Sequence, residues 1–208
     1  MKYDEAYYEE KLRCDNVTPH HLKKWVDKLD LLVHVAGNEQ KAWSEKMLGH
    51  PTMKMPTKAE SGYRQVGDYH VYIPKYNTFA GICGERKSVA DAYSTFLTGV
   101  DRFNREITRF HEDDRFDQFL IMVEGTQEEY LAYQPVFKGS NYNKKVWAKQ
   151  RTGAQYKAAH KRGTMNGFHA RGAHVVFSGN RAQAALDFID ISKKWCKYNY
   201  EMILKIDN

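Results

Sequence analysis

The sequence predicts an α/β fold in which a mixed sheet is covered by helices on both faces. Three observations carry this. Nearly continuous apolar runs at Leu31–Val35, Gln118–Val123 and Ala173–Ser178 read as strands buried on both sides. Longer segments between them have apolar residues at helical spacing. And one stretch, Gly67 to Asp91, reads as a hairpin running into a helix: Gly67–Ile73, a turn over Pro74-Lys75-Tyr76-Asn77-Thr78, then Phe79 onward. The order of strands and helices makes a sheet with helices on both faces.

The elements follow in order. Residues 3–13 predict a short helix of mixed charge. Thr18 caps a second helix with Pro19 in its first turn, and Leu22, Trp25, Val26 and Leu29 form its apolar stripe. Residues 1–30 thus form a helical extension, and 31–208 form the main domain. After the first strand, Ala36-Gly37-Asn38 turns the chain, and Glu39–Leu48 predicts a helix that stops at Gly49. A connector with Pro51, Pro56 and Gly62 leads to the hairpin. Ser88 and Asp91 have capping-box spacing at the head of a long helix through Phe110, with a break near Gly99. Thr126 caps a short helix to Tyr133. Residues 138–151 predict a loop or short helix, and 152–170 a helix kinked at Gly163 and Gly167. The final helix runs from Ala182 to Tyr198.

Several classes are excluded by composition. No apolar run is long enough to span a bilayer, and Met1–Glu5 lacks the core of a signal peptide, so no membrane partner is expected. Three dispersed cysteines, Cys14, Cys83 and Cys196, fit an intracellular, reducing compartment and give no zinc spacing. Charge is unevenly placed. Tyr130 to Leu186 contains no Asp or Glu and carries +10, which leaves −4 for the rest of a chain of net charge +6. Such a segment suits a polyanion. Lys144, Lys145, Lys149, Arg151, Lys157, Lys161 and Arg162 are the candidate nucleic-acid contacts.

The hairpin supplies the candidate chemistry. Folded about a centre between Tyr76 and Asn77, it sets Asp68 opposite Glu85. Side chains alternate along a strand, so Glu85 and Lys87 share a face and Arg86 takes the other. Two carboxylates beside an ammonium suit a hard divalent cation and a phosphodiester.

Gly67-Asp68, then Glu85-Arg86-Lys87 and Asp91 resemble the motif of the XPF-type structure-specific endonuclease domain, a branch of the restriction-endonuclease-like PD-(D/E)XK fold. The likeness extends to Gly99-Val100-Asp101-Arg102-Phe103, the strand ending at Glu124 and the strand ending at Ser178. It implies a three-layer α/β/α domain and hydrolysis of DNA with Mg²⁺ or Mn²⁺, at branched, flap or junction structures, leaving a 5′-phosphate. It implies Asp68 and Glu85 as metal ligands, Lys87 beside the attacking water, and Arg86 and Asp91 as supporting catalytic groups. The family's first strand ends in Asp-x-Arg-Glu; here Ala36-Gly37-Asn38-Glu39 keeps the Glu alone, which makes Glu39 a further metal candidate. The family also implies a homodimer. An inactive, nuclease-like DNA-binding partner subunit is the alternative, and RNA is an open substrate class.

Overall fold

The computed structural model describes residues 4–14, 17–61, 65–135 and 156–205. Its centre is a six-stranded sheet in the order β2-β1-β3-β4-β5-β6. The strands are β1 (Leu32–Val35), β2 (Thr52–Lys54), β3 (Tyr69–Ile73), β4 (Thr78–Lys87), β5 (Gln118–Val123) and β6 (Ala173–Phe177). Strand β3 is antiparallel to β1 and to β4; β1–β2, β4–β5 and β5–β6 are parallel. The sheet is mixed, as the sequence predicts.

Helices α1 (Glu5–Leu12), α2 (Pro19–Val26), α3 (Glu45–Leu48), α9 (Arg181–Tyr198) and α10 (Tyr200–Leu204) cover one face. Their side chains meet Val33, Val71, Ile73 and Ile82 around Trp25, Trp43 and Phe188. The other face is covered by α5 (Val89–Tyr93), a π-turn at Ser94–Thr98, α6 (Val100–His111), α7 (Gln127–Ala132) and α8 (Ala158–His169). There Phe96, Phe103, Phe110, Phe119 and Phe168 pack as one aromatic cluster. A short α4 (Lys58–Ser61) lies between β2 and β3. The result is three layers, α/β/α. Among the described residues no helix is long and apolar enough to cross a membrane.

Local chemistry accounts for most boundaries. Thr18, Ser88, Thr126 and Asn180 each accept from a backbone N–H in the first turn of the helix they begin. Thr126 and Glu129 complete a capping box. The break expected near Gly99 is the π-turn, after which α6 starts afresh.

Three expectations change. The helix predicted over Glu39–Leu48 shrinks to Glu45–Leu48, because Arg181 takes the carbonyls of Lys41 and Ala42 and Glu39 turns back onto the Lys41 N–H. The connector after Pro51 contains β2, an edge strand three residues long. And α8 runs unbroken through Gly163 and Gly167: its inner face of Lys161, Met165 and Phe168 is buried, and that packing outweighs the low helix propensity of glycine.

The hairpin register carries the site. Near the turn, Tyr72 faces Phe79 and Ile73 faces Thr78, which is symmetric about a point between Lys75 and Tyr76. The turn is a 3₁₀ segment closed by Asn77 in the left-handed region (φ 49°). Further along, His70 faces Cys83 and Tyr69 faces Gly84. Between these pairs β4 spends two more residues than β3, and the bulge falls around Gly81. Any Cβ at Gly81 would lie 2.4 Å from Asp117 Oδ2 and 2.5 Å from Trp195, so only glycine fits there. The bulge restores the register in which Asp68 is opposite Glu85.

Candidate active site

Asp68 sits one residue before β3, and Glu85, Arg86 and Lys87 end β4. The Asp68 N–H donates to the Gly84 carbonyl at 2.7 Å, and the Arg86 N–H donates to Asp68 Oδ2 at 3.0 Å. Two backbone contacts therefore fix the Asp68 main chain and aim its carboxylate across the strand pair. Alternation along β4 puts Glu85 and Lys87 on the face shared with α5 and α6, and Lys87 Nζ donates to Glu85 Oε1. Their side chains are 15% and 13% exposed.

Asp68 and Glu85 line one cavity of about 360 Å³ with Gly37, Asn38, Lys58 and Glu106. Burial, then the Glu85 charge, pushes the Asp68 carboxyl well above the usual carboxylate range. Burial also raises Glu85, against the pull of Lys87. For Lys87, burial opposes the charge, but the Glu85 and Asp68 carboxylates outweigh it and hold the ammonium above its ordinary value. The site is thus two crowded carboxylates tied to one firmly protonated amine.

Arg86 points to the opposite face, as alternation predicts. Its guanidinium bridges Glu39 (3.2 Å) and Glu124 (3.1 Å). Glu124 also accepts from Trp43 Nε1 and Arg181 Nη1, both at 3.0 Å. Arg86, Glu39 and Glu124 side chains are all about a tenth exposed, so these charges satisfy one another under the sheet edge. Glu39 is therefore held by Arg86 and by the Lys41 N–H at 2.7 Å. Among the described residues, no three potential ligands gather around one point, so the structure does not bring Glu39 into one ligand group with Asp68 and Glu85.

Asp91 is exposed and accepts from the Ser88 hydroxyl at 2.7 Å. It lies along a second cavity with Lys87 and Arg102. His70, on the site's strand face, is fully buried. Its Nε2 meets the Val66 carbonyl at 2.6 Å, and burial lowers its pKa to about 4, so it packs as a neutral core residue.

Of the expected nucleic-acid contacts, Arg162 is exposed on α8 and Lys157 is exposed at the residue that precedes the helix. Lys144, Lys145, Lys149 and Arg151 lie outside the described residues. Lys161 departs from the expectation: it is 0% exposed. Its ammonium donates to the carbonyls of Tyr130 (3.1 Å), Leu131 (2.8 Å) and Tyr133 (2.9 Å) at the end of α7. It also lies 5.0 Å and 5.6 Å from the ring centres of Tyr93 and Tyr130. A lysine spent on helix-end carbonyls has no donor left for a phosphate.

Sequence reasoning missed Glu106, Lys58, Trp43 and Arg181. Glu106 had a weak signal, an i,i+3 partner in Arg109, to which it is bonded. The other three reach the site region only through long-range contacts that leave no spacing pattern.

No family model matches the chain, and no curated protein matches it. Among solved structures it is similar to XPF from Aeropyrum pernix, with a TM-score of 0.46 and 16% identity, covering 78% of this chain and 65% of that one. XPF from Aeropyrum pernix in complex with DNA gives a TM-score of 0.44 and 14% identity, covering 82% of this chain and 66% of that one. The chain spans just under two thirds of the length of these solved chains.

Proposed function

We propose that this protein is a divalent-metal-dependent endonuclease that hydrolyses DNA phosphodiester bonds, with Asp68, Glu85 and Lys87 as its catalytic centre. One observation carries the reading: a strand bulge brings two carboxylates to one cavity at the end of β3 and β4, with Lys87 bonded to Glu85 and lining the next cavity. That combination costs stability in the free protein, because two acids share a site from which solvent is largely withdrawn. Such strain at a cleft is characteristic of a functional site.

The donor set fits Mg²⁺ or Mn²⁺. These ions take hard oxygen ligands, bind through one or two carboxylates and keep several waters, so a third protein ligand is not required. Asp68 and Glu85 would hold the ion. When bound, it would polarise a phosphoryl oxygen and lower the pKa of a water.

The chain's own residues do the rest. The Arg86 N–H fixes the orientation of the Asp68 carboxylate. Lys87 Nζ keeps its proton, so it acts as a charge and hydrogen-bond donor toward the attacking water and the phosphate, not as a general base. Asp91, at the head of α5, faces the cavity beside Lys87 and adds to the field that keeps that amine protonated. Lys157 and Arg162 offer exposed positive charge on the α8 side, and the wider acid-free window from Tyr130 to Leu186 supplies the affinity for a polyanion.

The test is cleavage of branched and linear DNA in Mn²⁺ by the natural protein, by Asp68→Ala and by Lys87→Ala. Loss of cleavage in both variants supports the reading, and equal cleavage by all three removes these residues from the chemistry. A second reading, a DNA-binding subunit without hydrolysis, is favoured by the Lys87–Glu85 ion pair, which closes the site on itself, and by Ala36. It requires DNA binding with an intact cavity and no Mn²⁺-dependent cleavage.

A further inference from the structure

We infer that Arg181, on the side of the sheet away from the cavity, is a positioning residue for the catalytic centre: it latches the loop after β1, and through Glu124 it sets Arg86 against Asp68. The inference rests on the proposed role of Asp68, and it adds a control that lies outside the cavity.

The latch is built as follows. Residues Ala36–Ser44 leave β1 as an irregular loop whose Gly37 and Asn38 wall the cavity shared by Asp68 and Glu85. A loop with unpaired carbonyls needs partners. Arg181 Nη2 supplies them, donating to the carbonyls of Lys41 and of Ala42 (2.8 Å). Its Nη1 donates to Glu124 at 3.0 Å. One planar guanidinium thus joins the loop to the end of β5, a fork that a lysine cannot reproduce.

Glu124 passes the constraint on by two routes. It accepts from the Arg86 guanidinium, while the backbone N–H of that same residue orients Asp68 Oδ2. It also accepts from the Trp43 indole. Trp43 stacks on Tyr69 with ring centres 4.2 Å apart, and its backbone N–H donates to the Tyr69 hydroxyl at 2.9 Å. Tyr69 is the residue after Asp68. So Asp68 is held from both sides of the chain by groups that converge on Glu124, and Arg181 ties Glu124 to two further points of the loop, the carbonyls of Lys41 and Ala42, beside the tie that the Trp43 indole makes. Gly37 leaves the loop little slack on its other side: a Cβ there would lie 2.5 Å from the Met55 carbonyl.

The experiment compares Arg181→Met and Arg181→Lys with the natural protein by backbone hydrogen exchange and by Mn²⁺-dependent cleavage. The expected exchange result is at least tenfold faster exchange at residues 39–43 and at the Arg86 amide, with α6 and α8 unchanged. The expected kinetic result is a kcat lowered about 10–100-fold, the range for groups that orient ligands from behind. KM for DNA should stay within about twofold, and Arg181→Lys should fall between the other two proteins. Unchanged protection at Arg86 overturns the inference. So does a uniform rise over all elements, which would make Arg181 a contributor to global stability alone. Should Arg181→Met fail to fold, Glu124→Gln is measured in the same way against the same two outcomes. If the natural protein does not cleave, the hydrolase reading fails, and the exchange result still decides whether Arg181 orders the Asp68 region.

Discussion

Replacing Lys161 by Met separates a structural lysine from a nucleic-acid contact. Lys161 is fully buried, and its ammonium serves three carbonyls and two tyrosine rings. Met fills a similar volume without a donor. The Tyr130 carbonyl, which is buried, then loses its partner at about 1–3 kcal/mol, while the carbonyls of Leu131 and Tyr133 are part-buried and recover water in part. Loss of the ring contacts adds about 0.5–1 kcal/mol. Against this, Met no longer has to be stripped of an ammonium's hydration, and burial already weakens the charged form of Lys161. The net expectation is about 2–4 kcal/mol of destabilisation, and for a chain of this length a melting temperature lower by about 4–16 °C. Thermal unfolding followed by circular dichroism reads that directly. Salt-dependent DNA binding is the companion assay: Lys161→Met should leave the slope of log K against log salt unchanged, while Lys157→Ala and Arg162→Ala each reduce it by about 0.9 at unchanged stability. A Lys161→Met protein that melts within about 2 °C of the natural one and loses salt slope would refute the assignment.

Three further outcomes follow from the site. Asp68 and Glu85 have raised pKa values in the folded protein, so at these two groups the native state binds more protons than the unfolded chain; their contribution to stability in EDTA is therefore fully present below about pH 4 and is lost as pH rises through the raised values. Asp68→Asn should flatten that fall and melt higher than the natural protein at pH 7 without metal. Millimolar Mn²⁺ should raise the melting temperature of the natural protein, by about 2.7 kcal/mol of stability at a hundredfold excess over Kd, and should have no such effect on Asp68→Asn combined with Glu85→Gln. Gly84→Ala places a Cβ 2.7 Å from the Phe188 ring, which is fully buried and has nowhere to go, so a loss of about 1–3 kcal/mol is expected by denaturant titration.

Five of the six strands, the caps and the alternation along β4 were legible because each is a short-range property. Thr18, Ser88 and Thr126 act within one turn of themselves. Glu85, Arg86 and Lys87 are sorted onto two faces by backbone geometry alone. The hairpin register was legible for a different reason. Its assumed centre lies between Tyr76 and Asn77, whereas the actual turn is centred one residue earlier, and the β4 bulge at Gly81 returns the strands to the assumed alignment before Asp68 is reached. What could not be read is whatever depends on partners far along the chain. Glu39–Leu48 has a fair helical pattern, but Arg181, about 140 residues away, takes its carbonyls. Lys161 sits among basic residues in the sequence, and its environment is the end of a helix some 30 residues earlier.

The same division explains how β4 works. A strand end that must hold two carboxylates together carries a cost that its own lysine cannot fully offset, since Lys87 is one cation against Asp68 and Glu85, while Glu106 is paired with Arg109. The reverse face carries two cations, Arg86 and Arg181, against Glu39 and Glu124, and its charges balance. Arg86 belongs to both faces: its side chain is fixed by the balanced set, and its N–H is what the unbalanced set uses to orient Asp68. The two carboxylates are held together because Arg86, the residue between Glu85 and Lys87, is anchored on the balanced face. A swap of Arg86 for Met should therefore injure both faces, leaving Glu39 and part of Glu124 without a counter-charge at about 3–5 kcal/mol, whereas Lys87→Met should lower cleavage with a smaller loss of stability. Equal melting temperatures for the two variants would show that the two faces are not divided in this way.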